Sequence, residues 1–246
     1  MKDRKTHFNI NRFNSLIKKW TPKARTEEPN SGDLVALFLH SSLLYDATLE
    51  QADAALARVR SRNVDFNEFR VNLVEEMVQT IGPKFPEGFS RMRRVRSTLA
   101  DVFRRHHKVS LEQLVGKPKR DVRTYLEHLD GMPMYVSSRM MLIGFGVALV
   151  PIDQTTIDLM RHTEVLVDDA TPAEFSAALE RRFGHERALQ IHYALTAAVD
   201  HFHNSGRAEE AREARLAKPK PRGAVKQAIE RAKSGKTGRR SSAARA

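Results

Sequence analysis

The chain has 246 residues, 41% of them apolar and 29% charged, enough for one large domain or two small ones with a sizeable buried core. It contains no cysteine, which excludes disulfides, thiolate catalysis and Cys-ligated zinc or iron–sulfur clusters and fits a reducing compartment. The formal net charge of +12 sits at the ends: residues 1–30 carry eight Lys/Arg against three Asp/Glu, and residues 207–246 carry thirteen against four. A near-neutral body with cationic arms suits a polyanion bound through counterion release, nucleic acid foremost; arms that serve solubility alone are the rival reading.

The N-terminal arm, residues 1–32, places Phe13, Leu16, Ile17 and Trp20 on one face of a helix expected to dock on the body. No apolar stretch follows its first charges, so no secretory signal is read there. In the body, residues 33–205, apolar positions recur at three and four. The period predicts helices over 34–45, 49–61, 66–80, 88–107, 111–115, 119–128, 134–147, 154–161, 172–182 and 185–203. Thr48 with Gln51, Asp65 with Glu68, Ser110 with Gln113 and Thr171 with Glu174 have capping-box spacing, and Pro172 stands at a first helical position. Short helices on tight turns make an all-α fold. The longest apolar run, Met140 to Ile152, has 13 residues and two glycines, short of the ~20 that span a membrane. Residues 207–246 read as a basic tail whose segments 207–217 and 224–233 become helical on a polyanion, with no fixed packing expected without one. Ser234-Gly-Lys-Thr-Gly has Glu230 where a phosphate loop needs its first glycine, so that reading is rejected.

Residues 119–158 are the most informative. A helix ends at Leu129, Gly131 makes a tight turn, and a second, apolar helix follows: a helix-hairpin-helix. Such a turn aims backbone amides and a helix N-terminus outward, ready for a phosphate. Ser137 and Ser138 allow close helix packing. Pro151 then breaks the chain, and Asp153 begins another helix beside the hairpin.

This stretch resembles the endonuclease III family of DNA glycosylases. The family pattern is Leu-Pro-Gly-hydrophobic-Gly-X-Lys, an apolar helix, then hydrophobic-Asp-Thr-His. Leu129, Gly131 and Ile152-Asp153 match it without a gap, 24 residues separating Leu129 from Asp153. Leu34 to Asp46 is similar to the family's early helix with its Leu-Leu-Ser-Ala-Gln-Ala-Thr-Asp signature, and Thr80-Ile-Gly82 to the Thr-Ile-Gly before its DNA-wedging loop. The resemblance covers roughly residues 33–200. It implies a six-helix barrel (about 48–162) beside a helical cluster from 33–47 and 163–205, with the active site in the cleft between. It also implies an enzyme of base-excision repair that flips a damaged or mispaired base out of duplex DNA and cuts its glycosidic bond. By position Asp153 takes the role of the family's aspartate, which stabilises the cationic sugar or directs the nucleophile. As a helix cap alone, it would need no chemistry.

The departures are as informative. Tyr135 stands where bifunctional members carry a Schiff-base lysine, and no lysine lies between Lys119 and Lys218. A phenol forms no imine, so the resemblance implies a monofunctional glycosylase without β-elimination. Pro133 replaces the hairpin's second glycine and removes one N–H. The cysteine-ligated iron–sulfur loop is missing, so no cofactor is expected. Leu43 occupies the place of a glutamine that fills the gap left by the flipped base, and Gln154-Thr155 replaces Thr-His. The candidate DNA contacts at the hairpin are Gly131, Met132, Met134 and Arg139. Arg91, Arg94, Lys117, Lys119 and Arg120 belong to a phosphate-tracking face, for which a merely solvated helix face is the rival. Phe85 reads either as a wedge between bases or as core. His106-His107 and His201-X-His203 lack carboxylate or thiolate partners at metal spacing, so no metal is assigned. The expected partner is double-stranded DNA, with no membrane, and the expected state is a monomer in the cytoplasm with the nucleoid. The alternative is a catalytically inactive DNA-structure-binding protein on the same fold.

Overall fold

Side chains that accept orphan backbone amides mark where half of the described α-helices begin. The structure, a computed structural model, describes residues 8–167 and 169–217. Thr48 and Gln51 form a complete capping box on α3 (Leu49–Arg62), and Thr171 and Glu174 form another on α10 (Pro172–Glu180), with Pro172 in its first turn. Asn9 caps α1 (Ile10–Trp20), and Asp33 caps α2 (Leu34–Leu44) by accepting the Val35 and Ala36 amides. Ser110 accepts the Glu112 amide, and only a 3-10 turn over Glu112–Leu114 forms where a helix was expected.

The helix expected over 66–80 is two: α4 (Phe66–Val71) and α5 (Val74–Ile81). Asp65 caps the first. Asn72 is extended, its amide donating to Asn63 Oδ1 at 3.1 Å and its carbonyl accepting Arg96 Nε at 3.1 Å. The Leu73 amide then reaches the Glu76 carboxylate at 2.8 Å and restarts the spiral. Val71 and Leu73, which continued the apolar period, are exposed.

Beyond these run α6 (Gly88–His106), α7 (Lys119–Glu127), α8 (Met134–Phe145), α9 (Gln154–His162) and α11 (His185–Asn204). Helix α2 is buried from Val35 to Leu44 on every side, which marks it as the centre of the core. It packs on α3, α6 and α8, while α11 runs against α1, α3, α8 and α9. Phe13, Ile17 and Trp20 of α1 are buried. Phe13 meets Phe8 and Phe175 edge-on at 5.5 and 6.1 Å, and the Asn9 amide donates to the Val165 carbonyl at 2.9 Å. The N-terminal helix is therefore part of the body's wall.

Among the described residues, those up to Ala208 form one compact unit, and those from Glu209 on fall outside it. Residues 207–217 are the helix α12 (Arg207–Ala217). The tail's Lys/Pro stretch, the segment 224–233 and Ser234-Gly-Lys-Thr-Gly lie outside the described residues. Among the described residues no helix is long and apolar enough to cross a membrane.

Candidate active site

Asp153 is the N-cap of α9, and it is only 4% exposed. Its Oδ1 accepts the Thr156 amide at 2.7 Å and the Thr156 hydroxyl at 2.6 Å, while Oδ2 accepts the Asp46 amide at 3.2 Å. Asp46 lies just past α2 in a left-handed conformation, φ 52°, and its own carboxylate accepts the Thr155 hydroxyl at 3.1 Å. Two carboxylates thus cross-brace the end of α2 and the start of α9. Burial, reinforced by the negative charge of Asp46, pushes the Asp153 carboxyl up to about 6, although Thr156 and the Asp46 amide favour its anion.

Around it stand Tyr135 from the first turn of α8, Leu44, Ala47 and Pro151, and, from α11, His192, Thr196 and Asp200. They enclose a cavity of about 20 Å³, room for about one water. Tyr135 is buried and stacks on Tyr45 with ring centroids 5.5 Å apart; burial, then the Asp153 charge, raises its phenol. No lysine is among the residues that line this cavity.

The hairpin between α7 and α8 is fastened to α6. Gly131 is left-handed at φ 78°, and a Cβ there would lie 2.9 Å from the Arg94 carbonyl, so both conformation and space demand glycine. The Asp130 amide donates to Asp101 Oδ2 at 3.0 Å, its carbonyl accepts the Thr98 hydroxyl at 2.7 Å, and Arg105 donates to the His128 carbonyl at 2.9 Å. Asp101 is buried and also ion-pairs with Arg104 and Arg105. Burial alone would raise its carboxyl, but the bonds from Arg105 and the Asp130 amide hold it below the ordinary range. Gly131 and Met134 are exposed and Met132 is half-buried, so the turn faces outward. Arg94 is half-buried beside it, and Lys117, Lys119 and Arg120 are exposed at the start of α7.

No protein-family profile and no curated protein sequence matches the chain. Solved structures do. A trapped endonuclease III–DNA covalent intermediate, in its estranged-adenine complex, superposes with a TM-score of 0.57 at 15% identity, over 76% of this chain and 82% of that one. The H. pylori 3-methyladenine DNA glycosylase MagIII, bound to 1,N6-ethenoadenine, superposes with a TM-score of 0.56 at 13% identity, over 79% of this chain and 98% of that one. The chain has the endonuclease III-like fold. It is a divergent example.

Four residues expected on DNA lie inside this endonuclease III-like body. Leu43, 1% exposed, is core, because α2 is buried on every side. Phe85 is buried under Arg91, whose guanidinium sits 5.3 Å from its ring. Arg91 itself is 2% exposed; it donates to the Ser42 and Pro86 carbonyls, and burial pulls it down to about 10. Arg139, 1% exposed, pairs with Glu28 and donates to Ser41 Oγ at 2.9 Å and His192 Nε2 at 3.1 Å. Leu43, Arg91 and Arg139, at 1–2% exposed, present almost no surface to a phosphate, while Phe85 edges an open groove with Gly82, Pro83 and Lys84. His106 bonds the Tyr125 hydroxyl at 2.8 Å, and His201 packs on Trp20 at 5.0 Å. The cysteine-held cluster of the family does not fit this chain, which has no cysteine to ligate it.

Sequence reasoning also passed over three residues. Asp46 ends the stretch matched to the family's early signature, which closes on an aspartate, and that match was the available signal. Asp101 is the only acid on the strongly basic α6. Asp200, whose carboxyl is pushed to about 6 mainly by burial, offered no local signal at all.

Proposed function

We propose that this protein is a DNA base-excision glycosylase that removes a damaged or mispaired base by hydrolysis and leaves the strand intact. The observation that carries the reading is the buried Asp153 carboxylate, set in a cavity beside Tyr135 and pressed against a second carboxylate. Capping does not require this. Asp33 and Asp65 cap their helices from exposed positions, where a charge costs little. A carboxylate kept in a buried, repelling site is a common mark of chemistry. There it stabilises the positive charge that develops on the sugar as the bond breaks, or orients the attacking water. The outward-facing hairpin, with Arg94 beside it, supplies a phosphate-binding surface, and the exposed Lys117, Lys119 and Arg120 at the other end of α7 add positive charge.

One observation favours a catalytically inactive DNA-structure-binding protein instead: both oxygens of Asp153 are already engaged by internal donors. A panel of duplexes with single lesions, treated with alkali after incubation, separates the two. The glycosylase yields alkali-labile sites on at least one lesion and no borohydride-trapped complex. Trapping by the wild type would overturn the monofunctional assignment, and binding without abasic sites on any lesion supports the inactive reading.

A further inference from the structure

The small cavity at Asp153 shares Leu44, His192, Thr196 and Asp200 with a larger one of about 60 Å³, which Lys23, Arg25 and Tyr193 help to wall. At about 15 Å³ per water centre, the larger space holds about four waters, the scale of a heterocyclic ring rather than an ion. Its cations are committed elsewhere. Each of the three guanidinium nitrogens of Arg139 is engaged, by His192, Ser41 and Glu28, and His192 Nε2 accepts from Arg139, so that ring is neutral. Arg25 pairs with Asp53, and Lys23 lies 4.9 Å over the Trp20 ring. Asp200 is different. Its Oδ1 accepts the Leu49 amide at 2.9 Å, and its charge is attracted by Arg25, but no hydrogen bond from a described residue reaches Oδ2.

We propose that Asp200 determines substrate specificity, its free Oδ2 accepting an N–H from the exocyclic amino group of the extruded base. This rests on the glycosylase reading above. A base carrying a carbonyl at that position points oxygen at oxygen and leaves the carboxylate unpaired, and sites built for a substrate N–H reject such analogues strongly. The enzyme therefore selects amino-bearing bases over carbonyl-bearing bases of the same shape. Asp200→Asn keeps an oxygen for the Leu49 amide and turns the other side-chain atom from acceptor to donor.

The test uses matched pairs in otherwise identical duplexes: 5-hydroxycytosine against 5-hydroxyuracil, and mispaired adenine against hypoxanthine. Single-turnover excision is measured for the full-length wild type and Asp200→Asn. In parallel, the free bases cytosine, uracil, adenine and hypoxanthine are titrated calorimetrically into both proteins. The wild type is expected to favour the amino member by about 10- to 100-fold, and the variant to lose or invert that preference. Equal handling of the pair by the wild type, or an amino preference that survives in Asp200→Asn, overturns the proposal. Should the wild type excise nothing from any duplex, the glycosylase reading fails, and the free-base titrations still decide Asp200. An amino preference abolished by Asp200→Asn sustains its role, and equal or absent binding ends it.

Discussion

Replacing Asp153 by Asn should make the protein more stable and less active at once, and the two effects can be sized separately. Burial and Asp46 raise the carboxyl from 3.8 to about 6. A rise of about two pH units means that ionised Asp153 costs the fold about 3 kcal/mol above pH 6. The sign follows from linkage. Between 3.8 and 6 the folded state binds more protons than the unfolded one, so stability falls as pH rises through that window and is flat above it. Asparagine carries no charge and keeps the oxygen that Thr156 uses, but it turns an N–H toward the Asp46 amide, which loses about 1 kcal/mol. The net gain above pH 6 is about 2 kcal/mol, or about 4–8 °C in Tm for a chain of this size. Excision should drop on the order of a hundredfold or more, the scale of removing a preorganised electrostatic group. Thermal unfolding of both proteins at pH 8 and pH 4 is the assay, with the variant's advantage present at the first and nearly gone at the second. An advantage independent of pH, or a destabilised variant at pH 8, would refute the account of Asp153 as a carboxylate held at a cost.

Gly131→Ala forces a side chain into a left-handed site against the Arg94 carbonyl; it should cost about 1–3 kcal/mol and weaken DNA binding on all sequences, read by thermal melts and by titration of a duplex. Arg139→Met leaves Glu28 buried without its partner and should cost about 3–5 kcal/mol, seen as a lowered urea midpoint; a variant within 1 kcal/mol of wild type, roughly, would mean that water reaches Glu28. Tyr135→Lys puts an amine in the pocket beside Asp153 and should allow borohydride trapping on whichever lesion the wild type excises. Deleting 207–246 removes thirteen Lys/Arg and four Asp/Glu and should flatten the dependence of DNA affinity on salt; an unchanged slope would remove the tail from binding.

Helix positions were legible because period and cap are local properties. Thr48, Asp65 and Thr171 announce their helices within three residues, and Gly131 announces its turn. Asp153 was legible through its distance from Leu129. Burial was not. Arg91 and Arg139 read as surface cations because the groups that bury them, Ser42 and Glu28, lie 49 and 111 residues away in sequence. Leu43 was displaced for the opposite reason: α2 has no charged face to orient it, and even its His40, Ser41 and Ser42 are buried, so no pattern says which side looks outward. The Asn72 break was hidden by Val71 and Leu73, which keep the helical period while pointing at solvent. Asp200 came to Asp153 only through the packing of α11, a relation between elements that no window of sequence contains.

The Glu28–Arg139–His192 contact has a consequence for the order of events during synthesis. Glu28 emerges from the ribosome long before Arg139, and Arg139 before the histidine its guanidinium also bonds. Until both exist, Glu28 has only Asn30 and His40 as partners and no guanidinium to balance its charge, so its segment stays in water and α1 has no α11 to lean on. Asp46, Tyr135, Asp153 and Asp200 are then assembled late and together, when the last long helix arrives. A chain that stops before α11 lacks His192, Thr196 and Asp200, and with them one wall of the cavity at Asp153.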